Sequence, residues 1–370
     1  MILHAAFPFR ADSPVREGLF PCPKKEMKKP PTSAKEKKMS ANAVTLLDAA
    51  KRFDNTGKIA KLVEIMAQTN EILEDALWLE GNLPTGHRTT VRTGLPAAAW
   101  RILNYGVQPS KSTTKSIDDT CGMLEAYAEV DKSLADLNGA SADWRMSEEA
   151  GFVEAMNQEM AKTLFYGDIH EEPQKFMGLS PRYNALSGFD CAENVLDFGG
   201  TGGANTSIWL CGWGEDTLHG IFPKGSQAGL QIKDLGEQTL LDDNGGHYQG
   251  YRSHFKWDCG LSLRDWRYAV RICNIDTASF ADIINGSAAS VGTNLIRLMI
   301  AAANKIPSAN KAQMAWYMNR DVKTVLDIMA MEKANVQLSV DQIEGKPVTR
   351  FLGMPVRRVD ALHNNEERLV

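Results

Sequence analysis

Residues 195–210, VLDFGGTGGANTSIWL, place Gly199, Gly200, Gly202 and Gly203 directly behind an apolar run. A strand entering a glycine turn is the way dinucleotide-binding proteins cradle a pyrophosphate. That chemistry needs G-x-G-x-x-G and a helix opening at once behind it, so that backbone N–H groups face the phosphate. Here Ala204 and Asn205 follow Gly203, so the last glycine is missing, and TSIWLCGWG reads as a strand. The expectation is a loop joining two strands. The segment FPKGSQAGL (222–230) has Lys-Gly-Ser without the spacing of a phosphate-binding loop, and reads as a turn.

Other reactive residue types are scattered. His219, His247 and His254 are separated by strand-rich sequence and do not form a ligand set at any familiar spacing. Asp118–Asp119 and Asp242–Asp243 are adjacent pairs. Neighbours on a strand face opposite sides, which makes a poor acid–base dyad. The six cysteines are isolated, with no C-x-x-C, which fits buried small side chains in a reducing compartment better than a disulfide framework or a metal centre. No cofactor, metal or catalytic residue is expected.

The elements around these residues are more informative. The composition, 43% hydrophobic and 24% charged, is that of a globular protein with a sizeable core. No apolar run is long enough for a membrane-spanning helix, and the N-terminus lacks the basic leader and cleavage site of a secretory signal. Residues 1–38 are rich in Pro and Lys, with nine basic and four acidic residues, a charge of +5. Subtracting this from the net −5 of the whole chain leaves −10 for residues 39–370. The segment reads as disordered, or as an upstream extension of a protein that starts at Met39. Lys35–Glu36 can be encoded AAG-GAG, a bacterial ribosome-binding sequence, two codons before Met39.

Helices are expected at 42–53 and 57–79, the latter with an apolar stripe at Ile59, Leu62, Met66, Leu73 and Leu77. Residues 82–117 then carry Arg88, Arg92, Arg101, Lys111 and Lys115 and no acid. This segment reads as a long β-hairpin turning at Gly94–Pro96, too thin in apolar content to fold alone. With Trp100 and Tyr105, its arginines would suit single-stranded nucleic acid. On an otherwise acidic chain they suit protein docking as well or better. A long helix is expected at 147–166, capped by Ser147, with Phe152, Met156, Met160 and Leu164 along one face. Strands follow over 190–275, then helices at 292–305 and 320–334 flanking a strand, and a final strand broken at Gly353–Pro355.

Several segments together resemble the major capsid proteins of short-tailed bacteriophages of the epsilon-fifteen type. They are QTNEILEDALWLEGNLPTGHRTTVRTGLP (68–96), WRILNYGVQPSKSTT (100–114), CGMLEAYAEVDKSLADLNG (121–139), FVEAMNQEMAKTLFYGD (152–168), HGIFPKGSQAGLQ (219–231), GYRSHFKWDCGLSLRDWRYAVRICNID (250–276) and GMPVRRVDAL (353–362). The resemblance runs in order from about Met39 to the C-terminus and excludes residues 1–38.

It implies an α+β, Hong Kong 97-like capsid fold. The N-terminal arm would be 39–81, the extended loop 82–117, the peripheral domain 118–189 with its spine helix, and the axial domain mainly 190–335, with 336–370 returning to the body. It implies a structural shell protein forming pentamers and hexamers around double-stranded DNA, without sequence-specific binding. A separate scaffolding protein, a portal and a decoration protein are the implied partners, and the virion, assembled in the bacterial cytoplasm, the implied location. The extended loop would contact a neighbouring subunit through Arg88, Arg92, Trp100, Arg101, Tyr105 and Lys111. Its acidic partners would be Glu71, Glu74, Asp75, Glu148, Glu149 and Glu154. Lys111 and Lys115 lie on the return arm rather than the tip, so no covalent crosslink is expected. The competing readings are an encapsulin-like compartment of the same fold and, more remotely, a nucleotide-dependent enzyme built on the glycine loop.

Overall fold

The computed structural model describes residues 68–136, 141–242, 244–280, 289–330, 338–343 and 346–370. The expected extension at 1–38, the helix at 42–53 and the first part of the 57–79 helix lie outside the described residues.

In chain order, a single helical turn α1 (Ile72–Asp75) leads to strand β1 (Trp78–Glu80). The ribbon strands β2 (Gly86–Gly94) and β3 (Thr113–Asp131) follow, then the short α2 (Lys132–Ala135) and the long α3 (Ser141–Tyr166). The strand-rich part comprises β4 (Val195–Asp197), β5 (Asn205–Trp213), β6 (Leu218–Phe222), β7 (Gln231–Leu241), β8 (His247–Leu263) and β9 (Ala269–Asp276). Helix α4 (Ala289–Lys305), strand β10 (Gln313–Met318), helix α5 (Arg320–Ala330) and strands β11 (Leu338–Ile343), β12 (Lys346–Phe351) and β13 (Met354–Arg358) complete it.

Nine strands join in one path, β11-β12-β13-β10-β5-β6-β8-β3-β2, and β1, β7 and β9 pair with β6, β8 and β5 beside it, with β4 on β9. Strand β5 lies at its centre and is buried along its whole length. Its side chains alternate between the two faces. Ile208 and Leu210 point into one apolar cluster with Met299 and Leu295 of α4 and Val322, Val325 and Leu326 of α5. Trp209, Cys211 and Trp213 point into another with Met160, Ala161, Leu164 and Phe165 of α3. Strand β10 repeats the alternation, Trp316 toward the first cluster and Tyr317 toward the second.

Helix α3 carries the expected stripe. Met156, Met160 and Leu164 are buried, and Phe152 stacks on Phe255 at 5.8 Å. It starts earlier than Ser147, at Ser141, because Trp144 is buried against Val130, Leu134 and Ala135 and anchors an additional first turn. Ser147 is therefore an interior residue and not the cap. The expected helix over 57–79 breaks within its described part. Trp78 pairs in parallel with Gly220 of β6, and this pairing makes Trp78–Glu80 a strand, overriding the local helical preference at the end of the expected helix. The final strand is a hairpin. Leu352 and Gly353, both at positive φ, form the two-residue turn between β12 and β13, and β13 then pairs with β10.

Candidate functional site

The ribbon is built by one strand with two partners. Residues 113–120 of β3 pair antiparallel with β2, from Gly94↔Thr113 to Gly86↔Thr120. From Cys121 to Asp131 the same strand pairs with β8. At about 3.3 Å per residue its nineteen residues span roughly 60 Å. The expected boundary between loop and body at residue 117 therefore runs through a continuous strand, and no break in the chain marks it.

Three strands crowd where the ribbon leaves the body. A Cβ on Gly86 would lie 2.1 Å from the Asp119 carbonyl oxygen, and one on Gly260 would lie 2.5 Å from that of Thr120. Only glycine permits this approach. The Asn82 side chain brackets the backbone of Arg88, accepting from its N–H at 2.8 Å and donating to its carbonyl at 2.7 Å.

Polar side chains fill the space below. Asp119 is buried and accepts from Arg182 at 2.9 Å, and Arg182 also donates to the carbonyls of Gly178, Met177 and Leu261. Arg264 Nη2 approaches His87 Nε2 at 2.8 Å. Burial, and then the charge of Arg264, hold the His87 imidazole below its ordinary value. His219, wholly buried, lies edge-on to His87 at 6.0 Å. Burial, Arg264 and His87 push its pKa down to about 4.

The outer end is different in character. The strands end at Gly94 and Thr113, so the connection is the broad loop 95–112 rather than a tight turn at Gly94–Pro96. It is closed by Ser110 Oγ donating to Ala97 O at 2.9 Å and by the contact of Thr93 with Thr113 at 3.2 Å. Leu95, Trp100, Ile102, Leu103, Tyr105 and Val107 are all exposed there, Trp100 fully. Arg92, Arg101 and Lys111 are exposed around them, their side chains making no hydrogen bond or ion pair to another described residue. The basic residues were readable in the sequence. Leu95, Ile102, Leu103 and Val107 were missed, although their signal was present as apolar residues in a Gly/Pro-punctuated stretch without a helical period.

Most of the acidic residues expected to meet a neighbour's ribbon, and Arg88 itself, also have partners within this chain. Arg88 pairs within its own ribbon with Asp118, at 2.6 and 2.8 Å, its cross-strand neighbour in register. Asp75 and Glu71 both engage Arg357 of the same chain. Glu149 accepts from Ser253 at 2.5 Å and lies 3.8 Å from Arg145. Glu154 accepts from Gln68 N and Gln158. Glu74 is exposed and Glu148 half-buried. The glycine loop joins β4 to β5, with Gly200 packed on the Asn274 carbonyl and no helix behind it. The three histidines do not converge: His254 stacks on Tyr127 at 4.5 Å, His219 is in the core, and His247 is exposed.

Comparison with known proteins agrees with this architecture. The family model for the major capsid protein GP7 matches residues 54–370. A chain of the near-atomic cryo-EM structure of bacteriophage Epsilon15 superposes with a TM-score of 0.68 at 35% identity, covering 90% of this chain and 99% of that one. The SrpI encapsulin of Synechococcus elongatus matches with a TM-score of 0.39 at 10% identity, covering 63% and 96%. Mycobacterium phage Adephagia matches with a TM-score of 0.39 at 11%, covering 60% and 92%. A search of curated protein sequences gives no match. The α+β fold is Hong Kong 97-like. Extended ribbon, spine helix and two-faced sheet are thus parts of a shell subunit rather than of an enzyme, and the chain belongs to the GP7 family of major capsid proteins.

Proposed function

We propose that, in the capsid shell this protein forms, the ribbon is the strap between neighbouring subunits. Its tip, residues 95–112, docks apolar side chains onto an adjacent copy. The observation carrying this reading is the fully exposed Trp100 among five further exposed apolar residues. A hydrophobic group of this size on a projecting loop is costly to leave in water. Arg92, Arg101 and Lys111 surround it, and residues 39–370 carry a net −10, so the basic rim meets an acidic neighbour and sets register. Most of the acids first paired with it already have intrachain partners, which leaves apolar contact as the main source of affinity.

The same proposal covers the finer scheme. The ribbon, a peripheral part around α3 and an axial part around α4 and α5 act as three working regions. One chain closes pentamers and hexamers by heterologous contacts. The shell encloses double-stranded DNA, and its acidic balance favours weak, non-specific contact. A scaffolding protein, a portal and a decoration protein assist, in the bacterial cytoplasm.

A benzophenone amino acid at position 100 tests the strap. Irradiation of assembled particles should yield covalent oligomers of this chain, and irradiation of unassembled subunits should not. Crosslinking confined to single chains would refute it.

A further inference from the structure

The root of the ribbon holds an arrangement that tolerates neutral imidazole and not imidazolium. Both ring nitrogens of His87 face donors. The Asn82 backbone N–H approaches Nδ1 at 3.2 Å and Arg264 Nη2 approaches Nε2 at 2.8 Å. A neutral ring has one lone pair to offer them, and a protonated ring has none. His219, against the edge of His87, is fully buried, and neither ring nitrogen makes a hydrogen bond of good geometry; the Gly214 backbone near the ring offsets only part of the burial and of the Arg264 charge. A proton there would place a second cation in the core beside Arg264.

The charges around the two rings come from every adjoining element. Arg264 follows the end of β8 and lies 3.4 Å from Asp216 of the β5–β6 turn, which is itself nearly fully exposed and a weak counterion. Asp119 of β3 is held by Arg182 from the segment after α3. The two arginines already outnumber the one buried carboxylate.

We propose that His87, His219 and Arg264 form an acid-sensitive catch at the base of the ribbon. Neutral imidazoles hold the ribbon in a fixed orientation to the body. Protonation repels Arg264, releases the Asn82 N–H and with it the bracket on Arg88, and lets the ribbon swing. The direction fits the depressed values of both histidines. The catch lies inside one chain, so it stands or falls independently of whether the tip docks on a neighbour.

Hydrogen exchange on particles of the full chain, at about pH 7.5 and about pH 4.5 with correction for intrinsic exchange, tests this. Ribbon amides in 86–94 and 113–121 should lose about tenfold in protection at the lower pH, the equivalent of one pKa unit of differential interaction. Amides of the β5–β9 pair should not. His87→Gln, which keeps an acceptor without titrating, should remove the selective loss, and His219→Gln provides the same readout if the first variant does not assemble. Equal losses in ribbon and core, or an undiminished ribbon loss in the assembling histidine variant, would overturn the proposal.

Discussion

Asp75 and Arg357 form a two-pronged ion pair across the fold, Nε to Oδ2 at 3.0 Å and Nη2 to Oδ1 at 2.8 Å. The Asp75 side chain is only 4% exposed. Tyr317 also donates to it at 3.0 Å, and Trp213 Nε1 donates to the Tyr317 oxygen at 2.7 Å. The pair ties the segment before the ribbon to β13. Asp75→Asn leaves the half-buried guanidinium with Glu71, at 3.4 Å, as its remaining counter-charge and should cost about 2 kcal/mol, measured by urea unfolding of unassembled subunits. A variant as stable as wild type would mean that Asp75 is available to a neighbour after all.

The C-terminal segment is held by a second buried pair. Glu366 accepts from Arg271 at 2.9 Å, from Tyr166 at 2.5 Å and from Ser207. Arg271 donates to Tyr183 O at 3.0 Å and lies over the Trp209 ring at 5.2 Å. Both side chains are almost wholly buried. Glu366→Gln should cost about 3 kcal/mol and lower the melting temperature of the subunit. Arg88→Ala, which breaks an exposed pair, should leave it unchanged.

Gly86 is fixed by space rather than by conformation. Alanine there must push the Asp119 backbone away from a 2.1 Å contact. The substitution should destabilise by about 2 kcal/mol and release ribbon amides in hydrogen exchange while those of β5 stay protected. Unchanged protection would show that the root can widen freely.

Subunit stability should depend on pH through the two buried histidines. Their folded-state values lie below the ordinary 6.5, that of His219 at about 4. The unfolded chain therefore binds more protons within that window. Their contribution is fully present above about pH 6.5, falls as the pH drops toward 4 and levels off below. Melting curves across this range should flatten in His219→Gln. An equal slope in the variant would assign the acid sensitivity to other groups.

The sequence was a good guide wherever one periodicity dominated. The four-residue step of Met156, Met160 and Leu164 predicted the buried face of α3, and the strands expected over 190–275 are β4 to β9. It misled where tertiary pairing overrode local preference. Trp78, inside the expected helix at 57–79, instead pairs with β6, and Leu352–Gly353 turned what read as one interrupted strand into a hairpin. For the candidate site, the basic ribbon was legible as a segment. Its ionic partners were not, because charge alone cannot tell whether Asp75 meets Arg357 of its own chain or an arginine of the next. The His87–His219 contact joins residues with no local relationship and has no signature in sequence.

The strap is tested most directly by electron microscopy of particles formed by wild-type protein and by Trp100→Ser, expressed with the same neighbouring genes. Wild type should form closed shells, while the variant should remain folded, with an unchanged melting temperature, and yield open fragments or free subunits. Normal closed shells from Trp100→Ser would contradict the account.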